Sequence, residues 1–142
     1  MKYSNTMRLT LSAIALALIS GVTYAQTKKV DLGQQEYVEN CAVCHALSGK
    51  GGGPYVEFLR KSPPDLTQMA KTNGGVFPVN RVYETIEGAN VPSHGSRDMP
   101  IWGMDYRIKA AEYFVDVPYD SEAYVRARIL TLLEYINRLQ QR

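Results

Sequence analysis

Apolar positions along the chain fall at helical spacing in several stretches, and no stretch sustains the period-two alternation of a half-buried strand. The clearest stretch lies near the C-terminus. There Val125, Ile129, Leu132, Leu133, Ile136 and Leu139 share one helical face, and Asp120 or Ser121 can cap the start. Residues 30–41 predict a first helix: Asp31 can cap it, Gln34 follows three positions later as in a capping box, and no breaker intervenes. Gly33 is out of place there. A glycine inside a helix costs about 0.5–1 kcal/mol relative to alanine, so it marks a close approach by another element.

Between these helices the pattern breaks often. Residues 47–64 read as loop, because Ser48-Gly49-Lys50-Gly51-Gly52-Gly53-Pro54 cannot hold a regular helix and Pro63-Pro64 closes the stretch. Short helices are expected over 55–60 and 65–71, the second stopped by Asn73-Gly74-Gly75. Residues 78–87 predict a firmer helix, with Pro78 in the first turn and Gly88 past the end. Loop composition returns over 88–103. Residues 105–120 carry Tyr106, Ile108, Tyr113, Phe114, Val117 and Tyr119, yet Pro118 interrupts them. The whole predicts an all-α domain of several short helices joined by long loops. Such loops are unusual in so small a domain unless they wrap around something.

The first 25 residues form a separate unit of the pattern. Lys2 and Arg8 flank the start of an apolar run over 9–22, and Thr23-Tyr24-Ala25 offers a small-residue cleavage site. This is the layout of a secretory signal peptide cut after Ala25, leaving a domain of residues 26–142. A spanning helix needs about 20 apolar residues, and this run is shorter and contains Thr10, Ser12 and Ser20, so no stable membrane insertion is expected. Removing the leader also changes the charge. Basic residues fall from 16 to 14 against 14 acidic residues, a net charge of zero. Nucleic-acid binding therefore has no electrostatic support.

Cys41-Ala42-Val43-Cys44-His45 holds the only two cysteines of the chain. Four chemistries compete for them. A disulfide across two intervening residues closes too small a loop to stabilise much, and it gives His45 no role. Zinc needs four ligands, and the only other histidine, His94, is about 50 residues away. A thioredoxin-type dithiol belongs in a βαβ context that the pattern lacks. Haem attachment explains all three residues: one turn of chain sets two thiols beside the two vinyl groups of a porphyrin, and the histidine follows on the same face toward the iron.

Other pieces follow in order. They are Gly33-x-x-x-Tyr37-x-x-x-Cys41-x-x-Cys44-His45, Pro63-Pro64-Asp65-Leu66-Thr67, Arg81-Val82-Tyr83-Glu84-Thr85-Ile86, Met99-Pro100 and Leu133-Glu134-Tyr135-Ile136. Together they resemble the class I monohaem c-type cytochromes of bacteria. The resemblance implies the class I cytochrome c fold around one covalent haem c, bound through Cys41 and Cys44. It implies first and last helices that cross, with Gly33 approaching the aromatic near Tyr135. His45 is then one axial iron ligand, and the periplasm is the expected compartment.

The second axial ligand is open among Met69, Met99, Met104 and His94. Met99 is favoured, because Pro100 biases it to an extended backbone and the family holds its methionine in such a loop. Met69 falls in a predicted helix and reads as core, and His94 reads as a surface residue. The resemblance also implies a proline carbonyl accepting from the ring N–H of His45; Pro64 fits that role, with Pro63 adjacent. Trp102, Tyr83 and Arg97 are candidates to bond the haem propionates, although Trp102 reads first as a packed wall, since a buried indole carries mainly apolar area.

Two fixed axial ligands suit an electron carrier between redox protein partners, with no catalysis of its own. The alternatives are a haem subunit held in an oxidoreductase complex and, further off, an open-site enzyme or gas sensor. Residues 105–122 depart from the compact family pattern and carry five acidic and two basic residues, a net charge of −3. They predict either a lid over one side of the haem or a docking surface for a basic partner. The Gly49–Gly53 stretch is not a phosphate cradle, since it follows no strand and lacks the Gly-Lys-Ser/Thr ending.

Overall fold

A computed structural model describes residues 29–89 and 99–141, which hold six α-helices, two 3₁₀ turns and, among the described residues, no strand. The expected leader, His94 and Arg97 lie outside the described residues. Helix α1 spans Leu32–Asn40 and begins where the Gln34 N–H donates to Asp31 Oδ1 at 2.9 Å. Half of the expected capping box is thus in place, and the helix is one or two residues shorter at each end than the pattern predicts. A single turn, α2 (Ala42–His45), carries the cysteine–histidine motif.

The Gly/Pro-rich stretch supports less helix than expected. Residues 55–60 form only a 3₁₀ turn, Val56–Phe58. A second 3₁₀ turn, Leu66–Gln68, capped by the Asp65 carboxylate, runs into the short α3 (Met69–Thr72). Helix α4 (Val79–Glu87) has Pro78 at its N-cap rather than inside its first turn, and ends on Gly88 in the left-handed region. Helix α5 spans Trp102–Tyr113, so the loop expected up to residue 103 stops early and the 105–120 stretch divides into a helix and a turn before Pro118. Helix α6 (Ser121–Arg138) is capped by the Asp120 carboxylate, which accepts from the N–H groups of Glu122 and Ala123 at 3.0 Å each.

Helix α6 is the shared support of the domain. Its predicted face is buried (Val125, Ile129, Leu132, Leu133 and Ile136), and α1, α4 and α5 all pack on it. Each fully buried aliphatic side chain contributes about 1.5–3 kcal/mol, so this stripe is the main apolar term holding the helices together. The expected contact between first and last helices centres on Gly33. A Cβ there would lie 2.0 Å from the Thr131 carbonyl oxygen and 3.0 Å from Tyr135 Cβ, so only glycine allows the pass. Tyr37 meets Tyr135 with ring centroids 5.1 Å apart, and Asp31 pairs with Arg138.

The end of the chain ties down the Pro63–Met69 region. The Gln141 N–H donates to the Thr67 carbonyl at 2.9 Å, and Gln140 Nε2 donates to the Leu66 carbonyl at 2.7 Å. No helix among the described residues is long and apolar enough to cross a membrane.

Candidate functional site

The motif is held by an unusually complete set of backbone bonds. A one-turn helix leaves its carbonyls without helical partners, and each buried one left so would cost free energy. Here the glycine-rich loop supplies the donors. Gly51 N–H donates to the His45 carbonyl, Gly53 N–H to Cys44 and Tyr55 N–H to Val43, all at 3.0 Å. Gly53 must be glycine for this, because a Cβ would fall 2.4 Å from the Val43 oxygen. The loop that resembled a phosphate cradle in composition is therefore a cap on the motif. Directly after His45 the chain turns through Ala46 at φ 60°, a region that strains a residue with a Cβ by about 1–3 kcal/mol. The buried Tyr37 hydroxyl donates to the Ala46 carbonyl at 2.8 Å and holds that turn from α1.

Cys41, Cys44 and His45 open onto a cavity of about 550 Å³, within the ~300–1,000 Å³ range of pockets that enclose a small-molecule ligand. One wall is Pro63, Pro64 and Leu66, a second is Val82 and Ile86 of α4, and a third is Met99 and Trp102, with Ile136 of α6 contributing as well. Cys41, Cys44, His45, Pro64, Met99 and Trp102 thus share one lining, whereas Tyr83 is not part of it and Arg97 lies outside the described residues. Met69, expected in the core, packs against it and also lines the cavity. Met104 is outside the lining and more than half exposed on α5.

The electrostatics separate the competing chemistries. Burial pushes the Cys41 thiol up to about 12, helped by the negative charge of Glu36 and by Cys44, and burial raises Cys44 too. A redox dithiol needs a lowered thiol pKa, so this pair is tuned the opposite way. The two cysteines are not bonded to each other. Among the described residues no group of three His, Cys, Asp or Glu side chains could hold a metal ion. The lining instead offers apolar walls, the cationic side chains of Lys61 and Arg81, and a buried Trp102 Nε1–H with no acceptor among the described residues. A flat apolar group with anionic edges, as a haem with its propionates is, fits that donor set.

A second cluster was not anticipated from the sequence. Glu36 on α1 is only 3% exposed. Tyr106 of α5 donates to its Oε1 at 2.8 Å, Asn40 Nδ2 donates to the same oxygen at 2.5 Å, and Arg128 of α6 pairs with Oε2. The Arg128 guanidinium also lies over the Tyr106 ring, 5.6 Å from its centroid. Burial and then the Glu36 charge and hydrogen bond push the Tyr106 hydroxyl well above the usual phenol range. Asn40 lines the cavity as well, so this cluster joins three helices immediately beside the motif. Its one sequence signal is position: Glu36 and Asn40 share with Gly33 and Tyr37 the i, i+3, i+4, i+7 face that α1 turns inward.

Comparison with curated proteins and with solved structures yields no significant match. Comparison with protein families does: a profile described as cytochrome c matches residues 30–112. The matched stretch begins at α1 and runs almost to the end of α5, so it contains the motif, the proline wall and Met99, while α6 lies beyond it. More than half of the chain is covered, and the chain therefore belongs to the cytochrome c family, haem c proteins of electron transfer.

Proposed function

We propose that the protein is a periplasmic electron carrier holding one haem c, attached through Cys41 and Cys44, with His45 and Met99 as axial ligands and no catalysis of its own. The observation that carries this reading is the shared lining: the motif and Met99 reach one cavity from distant parts of the chain, while Met104 turns outward. Bound there, the haem supplies a one-electron couple at iron. The chain's own residues do the rest. Leu66, Val82, Ile86 and Ile136 exclude water, which lowers the reorganisation that accompanies a change of charge. His45 and Met99 would hold the iron in both oxidation states, and a thioether with an imidazole would raise the reduction potential relative to two imidazoles. The Pro64 carbonyl is assigned to the ring N–H of His45, orienting the ring and strengthening the ligand. Lys61, Arg81 and the Trp102 indole N–H are assigned to the propionates.

The optical spectrum of the oxidised holoprotein tests the ligand assignment. A weak near-infrared band of iron–thioether bonding is expected in the wild type and in Met104→Ala and Met69→Leu, and is lost in Met99→Ala together with a fall in reduction potential. Absence of the band from the wild type, or its persistence in Met99→Ala, overturns the assignment.

A further inference from the structure

Helix α5 has two apolar faces, and the domain uses only one. Trp102, Tyr106 and Ala110 point inward and are buried. On the opposite side Met104 and Ile108 are each more than half exposed, and at the C-terminal end of the helix Tyr113 and then Val115 are 81% and 75% exposed. The corner after the helix is not loose. Phe114 gathers Tyr113, Tyr119 and Tyr124 around it, with ring centroids 4.8, 4.9 and 5.8 Å away. A surface ordered in advance loses little entropy when something binds to it.

The charges along this face are sorted. Arg107 is taken by Glu87 and Glu122, at 3.1 and 2.8 Å, and Lys109 by Asp105 at 2.8 Å. Asp120 is taken by the N-terminus of α6, while Glu112 and Asp116 are left, and among the described residues neither forms an ion pair. An apolar strip edged by unbalanced negative charge has the anatomy of an interface, a dry centre with a charged rim. The sign of the rim selects the occupant. A second copy would bring acid against acid, and a nucleic acid or an anionic membrane would be repelled in the same way. A protein face with a basic rim is attracted. The location matters too: α5 starts at the Trp102 wall of the cavity and its 12 residues extend about 18 Å from it. A partner lying along Met104 and Ile108 sits beside that wall.

We propose that the outer face of α5 and the corner over residues 113–120 form the docking surface for a redox partner whose own face is basic with an apolar centre. This rests on the electron-carrier reading and adds to it the class of partner and the place where it binds.

The test uses the haem-loaded protein and tris(1,10-phenanthroline)cobalt(III), a trivalent cation with aromatic faces that reproduces both features of such a partner. Titrating it into the oxidised protein is expected to give saturable amide NMR shifts confined to residues 104–120. Oxidation of the reduced protein by the complex should slow as ionic strength rises. The paired change Glu112→Gln with Asp116→Asn should weaken binding several-fold and slow that oxidation, and Tyr113→Ser should weaken binding without altering the salt dependence. Shifts centred on Lys61 and Arg81 instead, shifts nowhere, or binding unchanged in the paired variant overturn the proposal. So does a concentration-dependent dimer in sedimentation that Ile108→Ser abolishes, since the face would then belong to a second copy. Oxidation by the anion ferricyanide separates the two readings: if it proceeds in every variant while the cobalt results fail, the docking surface is wrong and the carrier stands. If ferricyanide cannot oxidise the reduced protein, the carrier reading falls first.

Discussion

Helix α6 is gripped on two sides, and the grips are of different kinds. On the α1 side, backbone meets backbone: Gly33 lies against the Thr131 carbonyl with no side chain between them. On the α5 side, the link is made by side chains and runs through α1, with Tyr106 of α5 and Arg128 of α6 converging on Glu36 of α1 and the far face of α5 left open. The first grip fixes α1, the helix that leads into the Cys41–His45 motif, and it has no room to yield. The second fixes a cavity wall through polar bonds, and it leaves the outer surface free to vary. Close backbone packing is thus concentrated beside the Cys41–His45 motif, and exposed apolar surface on the outer side of α5.

The strongest way to break the comparison is Gly33→Val. Its Cβ would overlap a backbone oxygen, which cannot rotate away, so α1 must lift from α6. The expected loss is roughly 3 kcal/mol or more in urea unfolding of the holoprotein. A loss below about 1 kcal/mol would show that the pass is looser than Gly33 implies.

Tyr106→Phe probes the other grip and should cost about 1–3 kcal/mol, because a buried carboxylate loses one of its donors. It also carries a pH signature. Burial and Glu36 raise the folded-state pKa of the Tyr106 hydroxyl, so the unfolded chain releases this proton first, from about pH 10 upward. Stability from this group is complete below that pH and falls as pH rises through the alkaline range. Wild-type unfolding measured between pH 9 and 12 should therefore show a steeper decline than Tyr106→Phe. Equal slopes would mean that the hydroxyl titrates alike in both states.

Arg107→Ala sharpens the contrast from the small end. Its bridge between Glu87 and Glu122 is partly exposed, so thermal unfolding should register less than about 1 kcal/mol. A larger effect would make the outer side of α5 part of the structural framework.

The two grips also differ in how far the sequence reveals them. Gly33 is visible as a misplaced glycine, and the α6 stripe is visible because one face alone is apolar. The Cys41–His45 motif needs no tertiary context to be read. Helix α5 is obscured by the feature that distinguishes it: with Tyr106 and Ala110 on one face and Met104 and Ile108 on the other, no periodicity survives. Glu36 is obscured for another reason. A glutamate on a helix reads as solvated, and the tyrosine that keeps it buried is 70 residues away. The glycine loop likewise shows its composition but not its purpose, since the carbonyls it caps are recognisable only once Gly51 and Gly53 are seen beside them. Met69 reads as core from its helical setting, and the cavity beside that core is invisible to a periodicity argument.

The pass at Gly33 also has a consequence in time. The Asp31–Arg138 pair beside it joins residues 107 positions apart, and closing so long a loop is entropically costly and slow. Ile136, part of the cavity wall that Cys41 and Cys44 also line, belongs to that helix. A chain in which α6 has not docked would lack that part of the wall, so completing the pocket waits on a contact between residues far apart in sequence.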